Sequence, residues 1–453
     1  WVDGQPRVSC VTPVARVNSR AVTTIEALPD ADEWARRFCD AGASQCGVCT
    51  PGIIMRLAAM EPAERTDVGA RQAMLAHLCR CTGWETIIAA AVGSPAAVSR
   101  DLVAAARRAA IEGGPQRVGP DVALGRGGFA ADSSPLDSLI AVLDEAGEWV
   151  VAETMHEARR VARKVSGRRT TAPLRWPIDP PPGEWERTLR TTWVEPGFVE
   201  LDAAWCVPGG EPVGPDGNGG AFGGKAHSEV AAAARRLADL HGRTVLATFA
   251  REDVVRRGPK RPPIAAGIHV DGSGVVRVAR TAGIAGAITA FAPNITVEEV
   301  DLPAPPTSAN IRAAGWAEVA VLLSSLREVD RVVAPSGAIA EARLDAEGAV
   351  HVRVECGAPL DEVVLRSYCI GAAHMALGWV RSEALAVDGD GVPMDLTVRS
   401  FGILRAVDTP AIHVEIVDSD APPVNGSDAV FAAVAAAAWR HAGFPGAWPT
   451  MRS

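Results

Sequence analysis

Four cysteines in two close pairs are the residues best placed to do chemistry. Cys46 and Cys49 lie in Gln45-Cys-Gly-Val-Cys-Thr-Pro-Gly52, and Cys79 and Cys81 lie in Cys-Arg-Cys-Thr-Gly83. Four converging thiolates satisfy a [2Fe–2S] cluster or a structural zinc ion. The flanking residues favour iron–sulfur. Pro51 follows Cys49, where the first turn of a helix accepts proline, and the apolar Ile53, Ile54, Met55 and Leu57 come next. Thr82 and Gly83 precede Trp84-Glu-Thr-Ile-Ile88. Helix starts offer free N–H groups and a positive dipole end to sulfur-borne negative charge.

The second half carries two weaker signals. Gly219-Gly-Ala-Phe-Gly-Gly-Lys225 lets the backbone approach a bulky ligand and present N–H groups to oxyanions. It is not a Walker loop, because Ala226 follows Lys225. Arg312 carries a fixed charge that can orient an anionic group, or it is a solvent-exposed helix arginine. Cys206 and Cys356 show no metal-ligand spacing, Cys369 and His374 read as core or helix-face residues, and His227 as a surface residue.

These residues need elements to hold them. Residues 1–28 read as short strands, Ala21–Glu26 the clearest. Helices are expected at Asp32–Cys39, where Trp34 and Phe38 share a face, at Arg71–Leu78, at Trp84–Val92 and at Asp101–Ile111. A Gly/Pro-bearing stretch from Gly113 to Gly128 reads as linker. Beyond 129, strands (Ser138–Leu143, Glu148–Ala152, Thr244–Phe249, His351–Glu355) mix with helices (Met155–Val165, Ser228–His241, Val430–His441). Pro-rich Ala172–Pro182 is a loop, and no repeat of fixed period is visible. The fold class is multidomain α+β.

At 453 residues two or three domains are expected, and 48% hydrophobic residues supply real cores. A net charge of −9 argues against a nucleic-acid partner. Only three lysines occur: Lys164, Lys225 and Lys260. No apolar run reaches transmembrane length, so no membrane partner is expected. Nine cysteines are too few for a disulfide scaffold, and a reducing cytoplasm is the expected compartment.

The string Gln45–Gly52 with Leu78–Gly83 resembles the helical [2Fe–2S] domain of the xanthine dehydrogenase and aldehyde oxidoreductase family, the molybdenum hydroxylases. The resemblance implies that Cys46, Cys49, Cys79 and Cys81 hold a [2Fe–2S] cluster within four helices, and that Gln45 and Cys81 lie against molybdopterin. Val2–Pro13 resembles the end of the family's plant-type [2Fe–2S] domain, with Cys10 as the last of its ligands. The expectation is that this domain is N-terminally incomplete in the chain. The glycine loop resembles the family's Gly-Gly-x-Phe-Gly-Gly-Lys loop, which implies that Gly220, Phe222 and Gly223 bind the cofactor. Thr192–Glu200 resembles the Val-Glu-x-x-x-x-Glu segment leading toward it. Arg312–Glu318 resembles an Arg-x-x-Gly-x-x-Gln/Glu segment that lines the molybdenum pocket. Tyr368–Trp379 resembles the Gln-Gly-x-Gly-x-Ala-Leu helix.

The domain layout this implies is 1–28, the end of a plant-type ferredoxin β-domain; 29–105, the helical [2Fe–2S] domain; 106–128, linker; and 129–453, an α/β molybdopterin-binding domain of reduced length. No flavin (FAD) domain intervenes, so a flavin subunit or an external acceptor is the expected electron partner in an oligomeric assembly. The implied reaction is oxidation of an aldehyde or N-heterocycle with water-derived oxygen, electrons leaving through the cluster. Two departures open an alternative. The molybdenum part is short, and the family's Gly-Glu-x-Pro-like segment is here Pro422-Pro-Val-Asn-Gly-Ser-Asp428. Ser427 stands where the catalytic Glu is expected, which leaves Asp428 as the candidate base. Loss of a general base costs on the order of 10²–10⁴ in rate. The alternative is an electron-transfer or assembly protein that keeps the cluster without a working molybdenum site.

Overall fold

A computed structural model describes residues 1–93, 99–164, 172–215 and 220–451. The cysteine region is helical: α1 (Ala31–Asp40), α2 (Thr50–Ala58), α3 (Asp67–Ala73) and α4 (Glu85–Val92). They close on one apolar core of Trp34, Phe38, Ile53, Ile54, Leu57, Met74, Trp84 and Ile87, with Cys46, Cys79 and Cys81 among them. Trp34 and Phe38 stack edge to face at 6.3 Å. Helix α5 (Leu102–Gly113) follows, started by Asp101, whose carboxylate accepts the N–H groups of Val103 and Ala104. It runs unbroken through position 105. Two short helices, α6 (Pro120–Ala123) and α7 (Ala130–Ser133), interrupt the Gly/Pro stretch.

The remaining strands and helices follow in chain order as β1 (Leu139–Leu143), β2 (Trp149–Ala152), α8 (Met155–Val161), β3 (Arg187–Arg190), β4 (Ala203–Cys206), α9 (Val230–His241), β5 (Val245–Thr248), α10 (Arg251–Arg257), β6 (Ile264–Ile268), β7 (Gly274–Ala279), α11 (Ile284–Phe291), β8 (Ile295–Val300), α12 (Trp316–Ser324), β9 (Asp330–Val333), β10 (Ile339–Leu344), β11 (Val350–Glu355), α13 (Glu362–Arg381), β12 (Ile412–Ile416) and α14 (Ser427–His441). They form three four-stranded mixed sheets, ordered β2-β1-β5-β4, β3-β6-β7-β8 and β12-β11-β10-β9.

The last two sheets share a connectivity. In each, three antiparallel strands lead to a helix, a fourth strand parallel to the third, and a second helix. The closing helices α12 and α14 pack together in one core that also takes Ile264, Val278, Ala340, Val352 and Trp439. Their N-termini therefore occupy equivalent places, which matters for the site below. Helix α13 is long and apolar enough to cross a bilayer, but it is 89% buried between the cysteine region and the third sheet.

Four sequence expectations change. Residues 1–28 form three 3₁₀ turns (Ser9–Val11, Val14–Arg16, Ile25–Ala27) rather than strands. Only isolated bridges join Val2 to Gln5 and Val22, and a strand without a neighbour has no ladder to hold it. Arg71–Leu78 is not one helix: α3 ends at Ala73 and a 3₁₀ turn covers Met74–Ala76. Helix α8 ends at Val161, and Val165 lies outside the described residues. Helix α14 starts at Ser427, not Val430, so Ser427 and Asp428 stand in its first turn.

Candidate metal and cofactor centre

The two cysteine pairs meet because each occupies a turn that opens a helix. Cys49 is the N-cap of α2, after a left-handed Gly47 whose Cβ would lie 2.7 Å from the Val122 carbonyl. Cys79 and Cys81 precede Gly83 and Trp84, both at positive φ, at the start of α4. The sulfurs form a chain of neighbours. Cys46 Sγ lies 3.5 Å from Cys81 Sγ, and Cys79 lies within hydrogen-bond reach of Cys49 and Cys81.

Protonation follows that order. Cys49 and Cys81 hold their protons well above the ordinary thiol range by donating to Cys79 and Cys46. Cys79 falls well below that range because Cys49 and then Cys81 donate to it, and Cys46 falls because Cys81 does. Four clustered thiols, three of them buried, can lose all their protons together only around a cationic centre. Among the described residues, no three His, Cys, Asp or Glu side chains are grouped tightly enough for a single metal ion. Cys46 with Cys81 and Cys49 with Cys79 supply the two thiolates that each iron of a two-iron cluster takes.

Helix α13 lies against these loops. Gln45 Nε2 donates to the Cys81 carbonyl (3.0 Å) and to Ser367 Oγ (2.9 Å), and Ser367 donates to the Gly42 carbonyl (2.6 Å). Gly371 passes so close to Cys81 that any Cβ there would run into the Cys81 carbonyl oxygen. The buried Oε1 of Gln45 has no partner among the described residues. An acceptor buried this way calls for an outside N–H donor, which a pterin ring supplies. The residues fit that group at this point.

A second constellation gathers Phe222, Gly223, Arg312 and Asp428. The Arg312 N–H donates to the Phe222 carbonyl (3.1 Å), and the Arg312 guanidinium lies 4.9 Å from the Phe222 ring centroid. Nε of Arg312 donates to Asp428 (3.0 Å), and Nη2 donates to Ser427 Oγ (2.9 Å). Arg312 is thus buried and fully committed, not a solvent-exposed helix residue. It precedes α12 as Ser427 and Asp428 open α14, so the constellation joins the N-termini of the two equivalent helices. Desolvation pushes the Asp428 carboxyl upward against the opposing pull of Arg312. Gly223, at φ +82°, touches the Asn310 backbone so closely that no Cβ fits. Gly220 is buried in the same loop, while Gly219 lies outside the described residues. Tyr368, the chain's one tyrosine, is raised well above the ordinary phenol range by burial first, then by Cys81, Glu112 and Cys46.

Several partners escaped the sequence analysis. The fully buried Glu112 of α5 accepts the N–H groups of Gly426 (3.1 Å) and Ser427 (2.8 Å), and Arg108 pairs with it. A carboxylate from α5 thereby satisfies the N-terminus of α14. The i,i+4 spacing of Arg108 and Glu112 was the available signal. All three lysines are buried against carboxylates: Lys164 against Asp253, Lys225 against Glu200 and Lys260 against Glu195 (2.8 Å). The Val-Glu-x-x-x-x-Glu carboxylates therefore hold lysines. His227 is exposed, as expected, and Cys369 and His374 are core residues. Cys10 is exposed, and no other cysteine pairs with it. A cavity of about 410 Å³ lies on the third sheet, and one of about 360 Å³ opens beside Cys46 against Gln116, Arg117 and Phe129.

Comparison with known proteins agrees with this geometry. Residues 24–92 match the family described as "[2Fe-2S] binding domain". A probable xanthine dehydrogenase subunit of Bacillus subtilis is 34% identical over 94 residues, 20% of this chain and 54% of that protein. The xanthine dehydrogenase iron-sulfur-binding subunit of Escherichia coli O157:H7 is 34% identical over 94 residues, 19% of this chain and 59% of that protein. The chain thus spans a little over half the length of these curated relatives. Across 97% of this chain and 91% of its own, the aldehyde oxidoreductase of Desulfovibrio gigas superposes with a TM-score of 0.67 at 12% identity. Residues 24–92 thus carry a [2Fe-2S] binding domain similar to those of xanthine dehydrogenase iron–sulfur subunits. The chain's α/β part shares the fold of that oxidoreductase, and its helical part shares sequence with the iron–sulfur subunits.

Proposed function

We propose that this chain is the iron–sulfur- and pterin-binding part of a molybdenum-hydroxylase-type oxidoreductase acting on an aldehyde or an N-heterocycle. The observation that carries the reading is the buried four-sulfur group beside the unpartnered Gln45 Oε1. A molybdopterin cofactor held here would supply oxygen transfer from water to carbon with two-electron chemistry, and a [2Fe–2S] cluster would supply the electron exit. The chain's own residues do the rest. Gln45, through its unpartnered Oε1, would accept a hydrogen bond from a pterin held there. Phe222 and the committed Arg312 form one wall. Asp428 is the candidate base, its carboxyl raised by desolvation against the pull of Arg312.

The alternative, an electron-transfer or assembly protein with the cluster alone, is favoured by one observation. Ser427 is fully buried and accepts from Arg312, so no Glu stands at that helix start. A flavin subunit or external acceptor would take the electrons in an oligomer; a relative from Paenarthrobacter nicotinovorans, 34% identical over 97 residues, is itself part of a dehydrogenase complex. A cytoplasmic setting is supported by nine cysteines with no disulfide among them. Metal and pterin analysis of anaerobically purified full chain tests the reading. About two irons per chain together with molybdenum and pterin support it. Iron without molybdenum selects the electron-transfer reading instead.

A further inference from the structure

Between the second pair of cysteines stands Arg80, and its surroundings are unusual for a charged residue. Its side chain is 2% exposed, and so is that of its partner Glu383. Nη1 donates to Oε1 and Nη2 to Oε2 of Glu383, each at 2.6 Å, a parallel two-bond fork. Nε donates to the Pro196 carbonyl at 2.9 Å. The guanidinium of a cluster-loop residue is therefore held by the α/β part from two directions. Glu383 lies just past the end of α13, where its N–H bonds the Gly378 carbonyl at 2.7 Å. Gly378 leaves the room: any Cβ there would strike the Glu383 carboxylate.

Stability is a poor reason for such a pair. Desolvating two charges costs about as much as their attraction returns, and apolar residues of equal volume often do better. The position suggests a different purpose. The potential of an iron–sulfur centre depends on the net charge around it, and Arg80 is the covalent neighbour of two of the four cysteines. Next to Glu383 its charge is largely cancelled where the cluster sits.

We propose that the Arg80–Glu383 pair is a charge lock, which fixes the Cys79–Cys81 loop to the α/β part and lowers the reduction potential of the centre by masking Arg80. The inference rests on the reading that the four cysteines hold a [2Fe–2S] cluster. It makes Arg80 and Glu383 positioning and tuning residues, not ligands.

The test is a redox titration of the full chain, reconstituted anaerobically with iron and sulfide, followed by the electron paramagnetic resonance signal of the reduced cluster. Glu383→Gln unmasks Arg80, and the reduction equilibrium should move about tenfold toward the reduced form, about 59 mV for one electron. The double variant Arg80→Gln with Glu383→Gln removes both charges and should return to within about twofold of wild type. A merely structural role would not reverse the shift in this way. An unchanged potential in Glu383→Gln with an intact signal overturns the tuning role, as does a double variant shifted as far as the single one. Arg80→Lys keeps the charge and loses the fork. It should keep the wild-type potential yet surrender iron to a chelator faster, and unchanged iron retention overturns the lock even where Glu383→Gln fails to fold. A wild-type chain that takes up no iron overturns the cluster reading itself, and this inference with it.

Discussion

The cysteine centre and the Phe222–Arg312–Asp428 centre are both buried, yet they are built in opposite ways. The first draws its side chains from residues 45–81, and each cysteine sits in a turn that its own glycine, threonine or proline shapes. The second draws from residues 220–428, and no local motif holds it together. It exists because α12 and α14 close two sheets of the same connectivity and bring their N-termini to one place. The first centre therefore takes its cysteines from one short stretch, and α13 and the α/β part only brace it. The second depends on the whole core.

That contrast can be broken by substitution. The largest effect is expected from Cys79→Ser, which removes the sulfur that neighbours both Cys49 and Cys81. Iron content and visible absorption should fall to background, while the α/β core keeps its cooperative unfolding. Asp428→Asn is the matching change in the other centre. It should leave iron content untouched and lower turnover by about 10²–10⁴-fold in the holoenzyme; turnover at the wild-type rate would remove Asp428 from the mechanism.

Alanine at two glycines sharpens the comparison. In a helix Gly→Ala ordinarily stabilises, but at Gly371 the new methyl meets the Cys81 carbonyl, and at Gly223 it meets the Asn310 backbone at a left-handed φ. Each should destabilise by about 2–3 kcal/mol in chemical denaturation. Gly371→Ala should also weaken iron retention, whereas Gly223→Ala should not. Equal iron loss in both would mean that the two centres are not separable.

The smallest effect concerns pH. Burial raises the Asp202 carboxyl to about 6, with Ser228 and Arg251 opposing. The unfolded value is about 3.9, so the folded state binds the proton more tightly. The stability this contributes is full below about pH 4 and is lost as pH rises through about 6. Asp202→Asn removes the dependence. Its melting temperature relative to wild type should rise with pH across that window, and a constant difference would show that Asp202 does not titrate there.

Much of the first centre was legible in the residues themselves. Spacing, Pro51 and the glycine-bearing turns locate the cysteines at helix starts, and these effects act within a few residues. Gly220, Phe222, Gly223, Arg312 and Asp428 could be joined into one site only through family resemblance, since their meeting is set by sheet topology. Glu112 was invisible because α5 must cross to α14 before its carboxylate means anything. The strands expected at 1–28 failed for the same reason: β-pairing needs a partner that local pattern does not supply.

By itself the amino-acid order determined the two cysteine turns and the helices that open after them, because short-range sterics and hydrogen bonding decide those features. Only the tertiary structure decided that Arg312 is buried against Asp428, that Gln45 keeps a free acceptor, and that Arg80 is locked to Glu383. Each of these is a contact between distant segments, and its energy depends on burial that no local stretch of chain can specify.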